Sequence, residues 1–293
     1  MSIHFTALHP VFAAEAHGID LLDLDARAVT ALVEGLDRYA VVLVRGQALD
    51  ELQQIAVGEA LGRIEERPAT VGEQRRRLRD DRTNDISNLD ADGNLLAADH
   101  NRRLFNLGNR LWHSDSSFKA TPSKYSMLYA NRLPASGDGD TEFADMRAAW
   151  DALPEKMQQR LLPMVARHSL MYSRAQLGFF SFSEEERERY APVPQRLVRR
   201  HAGSGRRSLY LASHIGDIDG LPRPEAMILV RELTEHATRR ENVYRHHWQP
   251  HDLVIWDNRC TLHRATAFDD VLEPRDMRRV TVTDDRPSLQ EPQ

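Results

Sequence analysis

The chain has 293 residues, of which 41% are hydrophobic and 28% are charged, a composition typical of a globular protein with a packed core. The net charge is −5, from 39 Lys and Arg against 44 Asp and Glu, which argues against general nucleic-acid binding. One cysteine excludes an intrachain disulfide and favours a cytoplasmic location, and no signal peptide or membrane-spanning apolar run is visible, so no membrane partner is expected.

The N-terminal part of the chain is predicted to alternate helix and strand. Apolar positions at helical spacing predict a helix over residues 26–39, and the run VVLVRG predicts a strand that ends at Gly46. A second helix is predicted over about residues 50–61. Residues 66–108 are rich in Arg, Asp and Asn and have little apolar periodicity, which predicts a mobile active-site lid.

Strand-like runs dominate the remainder of the chain. They cover residues 125–130, 208–212, 243–248, 252–256 and 279–283. Two helices interrupt them, one over residues 146–161 with a break at Pro154 and one over residues 224–237. This order predicts an α+β fold, in which a β-sandwich or jelly roll carries peripheral helices, as a single domain over residues 1–293.

Metal-ligating residue types occur in two places. His113 and Asp115 lie two residues apart, and on a strand such residues face the same side and can reach one ion. His263 lies far downstream, just beyond a predicted strand. Two imidazoles and one carboxylate on one face of an octahedral metal leave three positions open for a bidentate oxoacid and O2. This combination is typical of non-haem Fe(II) oxygenases.

Other interpretations of these residues remain open at this point. Taken alone, an HxD pair is more often an incidental surface pair than a metal site. A zinc-dependent hydrolase could use the same residue types, although zinc favours a tetrahedral site with one open position. A binding protein without catalysis is a third possibility. Arg275 and Arg279 favour the oxygenase, because a guanidinium binds a carboxylate cosubstrate in bidentate fashion.

Several longer segments carry a specific resemblance. They are LHPVFAAEAHGIDL, VVLVRGQALDELQQIA, LWHSDSSF, YSMLYANRLP, GDTEFADMRAAWDALP, RRHAGSGRRSLYL, LTEHATRRENVYRHHW and DLVIWDNRCTLHR. On these segments the chain resembles the taurine dioxygenase/2,4-dichlorophenoxyacetate dioxygenase family of Fe(II)/2-oxoglutarate-dependent oxygenases. LHPVFAA, LWHSDSSF and DMRAAWDALP place it nearest to the 2,4-dichlorophenoxyacetate branch.

The resemblance implies a double-stranded β-helix (jelly-roll) core with the iron in its mouth, and it implies Fe(II), 2-oxoglutarate and O2 as cofactor and cosubstrates. By position, His113, Asp115 and His263 would be the Fe(II) ligands. Thr141 would donate a hydrogen bond to the 2-oxoglutarate carboxylate with which Arg275 pairs.

The same resemblance implies the substrate contacts. Arg279 would face a substrate carboxylate, and Asn109, His201 and His214 are further substrate candidates. Basic residues expected in the lid to hold the substrate are not evident, and Arg82 or an arginine of the run 75–79 could replace them.

The implied reaction is hydroxylation of the carbon between the ether oxygen and the carboxylate of an aryloxyacetate such as 2,4-dichlorophenoxyacetate. The products would be a phenol, glyoxylate, succinate and CO2. A sulfonate, an alkyl sulfate or a natural aromatic acid is the alternative small-molecule substrate. Enzymes of this kind are often homo-oligomers, and an oligomer is left open here.

Overall fold

The structure is a computed structural model, and it describes residues 3–66 and 77–292. The helices in this part of the chain are α1 (Ala26–Tyr39), α2 (Glu51–Leu61), α3 (Asn101–Asn106), α4 (Met146–Asp151), α5 (Glu155–Leu161), α6 (Leu170–Ala175), α7 (Glu184–Arg189) and α8 (Arg223–Ala237). Short 3-10 helices cover Leu107–Arg110, Arg240–Asn242 and Ser288–Gln290.

The strands form four sheets among the described residues. They are β1 (His4–Ala7), β2 (Ala14–His17), β3 (Val41–Val44), β4 (Thr83–Asp85), β5 (Ser123–Arg132), β6 (Thr141–Asp145), β7 (Val165–His168), β8 (Val193–Arg196), β9 (Val198–Arg200), β10 (Arg207–Leu209), β11 (Ile215–Ile218), β12 (Val243–His246), β13 (Leu253–Asp257), β14 (Thr261–Ala265) and β15 (Asp276–Thr283). The main sheet has the order β1-β2-β3-β13-β5-β15-β4, and a second sheet has the order β12-β6-β14. Two smaller sheets have the orders β11-β7-β8 and β10-β9.

Alternation along the central strands gives the main sheet two different apolar faces. Ile255 and Val280 point to the face that α1 and α2 cover. Trp256 and Met277 point to the opposite face and pack with Phe143 of β6. Because side chains alternate across a strand, the second sheet packs against one face of the main sheet only. The candidate site lies between these two sheets.

Most of the predicted elements are present, and the predicted α+β class is confirmed. Helix α1 has the predicted bounds, and it begins where the Asp25 side chain accepts a hydrogen bond from the backbone N–H of Ala28. The helix predicted over residues 146–161 is interrupted at Pro154, as expected, and forms α4 and α5. The strand predicted over residues 208–212 is shorter, because after Leu209 the chain leaves the ladder and Ser213 donates its backbone N–H to Trp112.

The segment predicted as an irregular lid contains more regular structure than expected. Residues 67–76 of it lie outside the described residues. The described remainder includes strand β4, which pairs with β15, and helix α3 followed by the 3-10 turn Leu107–Arg110. In the part of the chain that the structure describes, no helix has the length and apolar character needed to cross a bilayer.

His168 on β7 predicts a pH dependence of stability. Its ring is buried, its Nδ1 lies 3.0 Å from Ser117 Oγ, and burial lowers the pKa from 6.5 to about 3. The unfolded chain therefore binds the proton more readily, and this contribution to stability is lost as the pH falls from about 6.5 towards 3.

Between about pH 7.5 and about pH 5.5, protonation of His168 in the unfolded chain should lower the free energy of unfolding of the wild type by about 1.4 kcal/mol. We expect His168→Gln to lack this part of the decrease. Urea denaturation of both proteins at the two pH values measures this difference. The same decrease in variant and wild type would contradict the prediction.

Candidate active site

Backbone pairing brings the two predicted histidine ligands together. His113 and His263 form an isolated antiparallel bridge, with N–O distances of 3.0 and 2.9 Å. The expectation that His113 and Asp115 lie on one continuous strand is wrong, because the chain turns after His113 and Ser116 has a φ of 50°. The turn still directs the Asp115 carboxylate towards both imidazoles.

The three predicted metal ligands form a compact and buried group. Asp115 Oδ1 lies 3.8 Å from His113 Nε2, and Asp115 Oδ2 lies 3.6 Å from His263 Nε2. One donor atom from each residue can be chosen so that all three lie within 4.8 Å of one another. These separations are longer than hydrogen bonds, and they leave space for an ion between the donors.

The imidazoles are prepared to act as metal ligands. His113 Nδ1 lies 2.7 Å from the carbonyl oxygen of Leu111, which can only accept, so Nδ1 carries the proton and Nε2 keeps its lone pair. Burial lowers the pKa of His113, and burial together with the nearby His113 ring lowers that of His263 well below its usual value. Both rings are therefore neutral at neutral pH, the form that binds a metal.

The Asp115 carboxylate is held in its charged form. Burial alone would raise its pKa, but the Arg279 guanidinium and the two imidazoles lower it to about 2. The Ser126 hydroxyl donates to Asp115 Oδ2 at 2.8 Å, and Arg279 Nη1 donates to Oδ1. Asp115 is thus an ionised carboxylate of fixed orientation, and Arg279 contacts it instead of standing free for a substrate.

A cleft opens beside this triad. It contains a further cation besides Arg279, the buried Arg275. Thr141, Arg275, Asn109 and Arg279 all line it together with His113 and His263. Burial lowers the pKa of Arg275 to about 10. No carboxylate of the described residues lies within ion-pair distance of its guanidinium, whose Nε donates to the carbonyl of Gly139 at 3.1 Å.

Two neighbouring residues orient the groups at this end of the cleft. The Trp248 indole N–H donates to Thr141 Oγ1 at 3.1 Å, so the Thr141 hydroxyl proton is free to donate elsewhere. Asn88 Oδ1 accepts from the backbone N–H of Arg275 at 2.8 Å. Neither Asn88 nor Trp248 was singled out from the sequence, because their importance depends on contacts with distant parts of the chain.

The two substrate-candidate histidines occupy different environments. The ring centroid of His214 lies 6.1 Å from that of His113, so His214 borders the metal triad. His201 does not line the cleft; its Nε2 lies 2.9 Å from Asp257 and its Nδ1 lies 2.8 Å from the Ser204 hydroxyl, within a buried cluster. Neither histidine is among the residues that line the cleft; His214 lies next to His113, and His201 belongs to the framework behind β13.

Two of the lid arginines considered for the substrate, Arg77 and Arg82, are already paired. Arg77 forms ion pairs with Asp85 and Asp276 at 2.8 and 2.6 Å. Arg82 pairs with Asp80 at 2.7 Å. Residues 75 and 76 lie outside the described residues. Arg77 therefore ties the lid to β15, and Arg82 is held by Asp80 and by Glu59 of α2.

Comparison with known proteins agrees with this geometry. A family model described as taurine catabolism dioxygenase TauD, TfdA family matches residues 4–281. An alpha-ketoglutarate-dependent 2,4-dichlorophenoxyacetate dioxygenase of Cupriavidus pinatubonensis is 44% identical over 286 residues, which are 97% of this chain and 99% of that protein. An (S)-phenoxypropionate/alpha-ketoglutarate-dioxygenase of Sphingobium herbicidovorans is 36% identical, with 89% and 88% of the two chains covered. The crystal structure of AAD-2 in complex with Mn(II) and N-oxalylglycine has a TM-score of 0.90 and 43% identity, and covers 99% of this chain and 100% of that one.

The chain therefore belongs to the TauD, TfdA family of dioxygenases. The family recognised from the sequence is confirmed, and so is the enzyme class, an oxidoreductase of the 2-oxoglutarate-dependent dioxygenases. The predicted set of Fe(II), 2-oxoglutarate and O2 is confirmed as the set that this family uses.

Proposed function

We propose that this chain is an Fe(II)- and 2-oxoglutarate-dependent dioxygenase that hydroxylates the carbon next to the carboxylate of aryloxyacetates such as 2,4-dichlorophenoxyacetate. The observation that carries the proposal is one cleft in which a buried two-histidine, one-carboxylate triad lies beside Arg275 and Arg279, two of the four arginines of the lining. The triad fits a metal, and the arginines match the carboxylates of a cosubstrate and a substrate. The relatives that act on phenoxy acids support this substrate class.

His113, Asp115 and His263 would hold the Fe(II) ion. Their donor set fits, since two neutral imidazole nitrogens and one ionised carboxylate oxygen face one another without hydrogen bonds between them. When bound, Fe(II) activates O2 for C–H hydroxylation, coupled to oxidative decarboxylation of 2-oxoglutarate to succinate and CO2. The chain itself fixes the ligands through the Leu111 carbonyl and the Ser126 hydroxyl.

Arg275 and Thr141 would bind the 2-oxoglutarate carboxylate remote from the metal. The Arg275 guanidinium is buried without an anionic partner among the described residues, and the Thr141 hydroxyl has a proton to donate. Gly139 lets the Arg275 side chain approach closely, because a Cβ there would lie 3.1 Å from Arg275 Cδ in a backbone with φ of +85°. The two groups together form a preformed dicarboxylate anchor.

Arg279, Asn109 and His214 would contact the substrate. Arg279 already pairs with Asp115. A substrate carboxylate would therefore either share Arg279 with Asp115 or take the place of Asp115 as its partner. Placement of the acid decides which C–H bond lies nearest the reacting centre. Hydroxylation of the carbon between the ether oxygen and the carboxylate gives a hemiacetal, which separates into a phenol and glyoxylate.

The architecture that supports this function is proposed to be a double-stranded β-helix, a jelly roll, in a single domain over residues 1–293. Strands β3-β13-β5-β15 and strands β12-β6-β14 would be its two facing sheets, with the triad at one end. The segment 66–108 is proposed to act as a lid, because its described part contributes Asn88 and Asn106 to the cleft. A cytoplasmic location and a homo-oligomeric state stay predictions.

Anaerobic addition of Fe(II) and 2-oxoglutarate to the apo-protein tests the proposal. We expect a visible metal-to-ligand charge-transfer band and, after addition of 2,4-dichlorophenoxyacetate and O2, equal amounts of succinate, glyoxylate and phenol. Absence of both the band and O2-dependent succinate would exclude the oxygenase, and turnover with zinc alone would favour a hydrolase. A clear preference for a sulfonate such as taurine, an alkyl sulfate or a natural aromatic acid would reject the aryloxyacetate assignment.

A further inference from the structure

Arg174, at the end of helix α6, is a buried cation with few partners. Its residue exposure is 5%, and its Nε has no hydrogen-bond partner in the described part of the chain. Nη1 donates to Ser173 Oγ at 3.1 Å, and no carboxylate of the described residues lies within ion-pair distance. A buried charge without a counter-ion is unfavourable, so this guanidinium is suited to an anion that the protein itself does not supply.

The surroundings of Arg174 hold its guanidinium in place. The Ser173 hydroxyl donates to the carbonyl of Leu170 at 2.7 Å, and it accepts from Arg174 and lies 2.9 Å from His214 Nδ1. The guanidinium carbon lies 4.4 Å from the ring centroid of Phe105 on the lid helix α3. These contacts fix an orientation without neutralising the charge.

Two residues of the lid segment contact this side chain directly. A Cβ at Gly108 would lie 2.2 Å from Arg174 Nη1, so only glycine permits this approach of the 3-10 turn to the guanidinium. Phe105 and Gly108 both belong to the segment that borders the cleft. Arg174 therefore lies against the lid residues Phe105 and Gly108 and, through Ser173, next to His214, at the margin of the described cleft lining rather than in it.

The charge of Arg174 also reaches the reaction centre. Burial and the nearby Arg279 lower the pKa of Arg174 to about 10, against the opposing effect of the Asp115 carboxylate. Asp115 already has Arg279 and Ser126 as partners. Arg275 and Thr141 lie together in the cleft and suffice for the cosubstrate carboxylate. The anion left for Arg174 is the acidic group of the substrate.

We propose that Arg174 is a second cationic contact for the anionic group of the substrate, acting together with Arg279 beneath the closed lid. This inference rests on the proposed function and adds a specificity-determining residue to it. A neutral substrate analogue would be a poor ligand in comparison, since it would form no ion pair with either guanidinium. The Phe105 contact would favour lid closure over a substrate that already pairs with Arg174.

The test compares an aryloxyacetate with its uncharged aryloxyacetamide in Arg174→Met, Arg174→Lys and wild-type enzyme. Substrate-dependent changes of the charge-transfer band yield the dissociation constants, and steady-state turnover yields KM and kcat. We expect Arg174→Met to weaken binding of the acid about 10-fold to 100-fold and to alter binding of the amide little. Arg174→Lys keeps the charge but loses the planar fork, so its affinity for the acid should lie between those of the wild type and Arg174→Met.

Two control variants separate charge recognition from packing. Phe105→Leu removes the ring contact but keeps the guanidinium, so it should preserve the preference for acid over amide. Arg223→Met removes another arginine–ring contact, in which the guanidinium carbon lies 5.6 Å from the Tyr172 centroid, and should leave both constants unchanged. If Arg174→Met does not fold, Arg174→Lys tests the proposal by itself. A preference for acid over amide in Arg174→Lys equal to that of the wild type would overturn the proposal.

The outcomes distinguish this inference from the proposed function. Equal loss of acid and amide binding in Arg174→Met, or the same loss of preference in Phe105→Leu, would reduce Arg174 to a structural role. In that case the wild-type charge-transfer band and succinate production would persist. Their absence from the wild type would instead refute the proposed function itself.

Discussion

Asp115→Ala is expected to abolish the charge-transfer band and O2-dependent succinate formation. Asp115 is the only carboxylate in the described metal triad, and its oxygens lie 3.8 and 3.6 Å from the two imidazole nitrogens. Loss of residues that merely orient a ligand lowers metal affinity about 10-fold to 100-fold, so loss of the ligand itself should exceed the upper value. Anaerobic titration with Fe(II), and with Mn(II) as a redox-stable substitute, measures the affinity directly.

The matched control for Asp115 is another buried histidine–carboxylate contact. His246 Nε2 lies 3.1 Å from Asp252 Oδ2, and neither residue lines the cleft. His246→Gln should retain the band and the metal affinity even if its free energy of unfolding is lower. Metal binding by Asp115→Ala with wild-type affinity would show that the ion is held elsewhere.

Arg275→Gln is expected to raise the KM for 2-oxoglutarate about 100-fold, which corresponds to about 3 kcal/mol. The guanidinium is buried in the cleft without a protein carboxylate among the described residues, so its charge is available to the cosubstrate. Glutamine keeps a hydrogen-bond donor but loses the charge and the bidentate geometry. Titration of the charge-transfer band with 2-oxoglutarate gives the affinity separately from catalysis.

Arg278 provides the control for Arg275 on the same segment of chain. Its Nε donates to Gln54 Oε1 at 3.2 Å and its Nη2 to the carbonyl of Leu49 at 2.6 Å, so it faces helix α2 rather than the cleft. Arg278→Gln should lower the free energy of unfolding and leave the KM for 2-oxoglutarate unchanged. An equal rise of KM in both variants would mean that the effect comes through the fold of β15.

Local patterns in the sequence were sufficient for most of the elements. Helix α1 follows from apolar spacing and from the Asp25 cap, and the break at Pro154 follows from the missing N–H of proline. Long ordered segments such as LWHSDSSF identified the family, which the comparisons confirm. The lid was harder to predict, because β4 exists only through its pairing with β15.

The sequence by itself determined the family, the reaction class and the set of candidate ligands, since these depend on residue types in short ordered motifs. Tertiary structure decided which candidates meet. His201 and His214 were equal candidates, yet one lies beside Asp257 and the other beside His113. Arg174 gave no signal in the sequence, because its importance comes from burial beneath Gly108 without a carboxylate partner among the described residues. Contacts between distant segments depend on strand register and loop path, which local patterns do not encode.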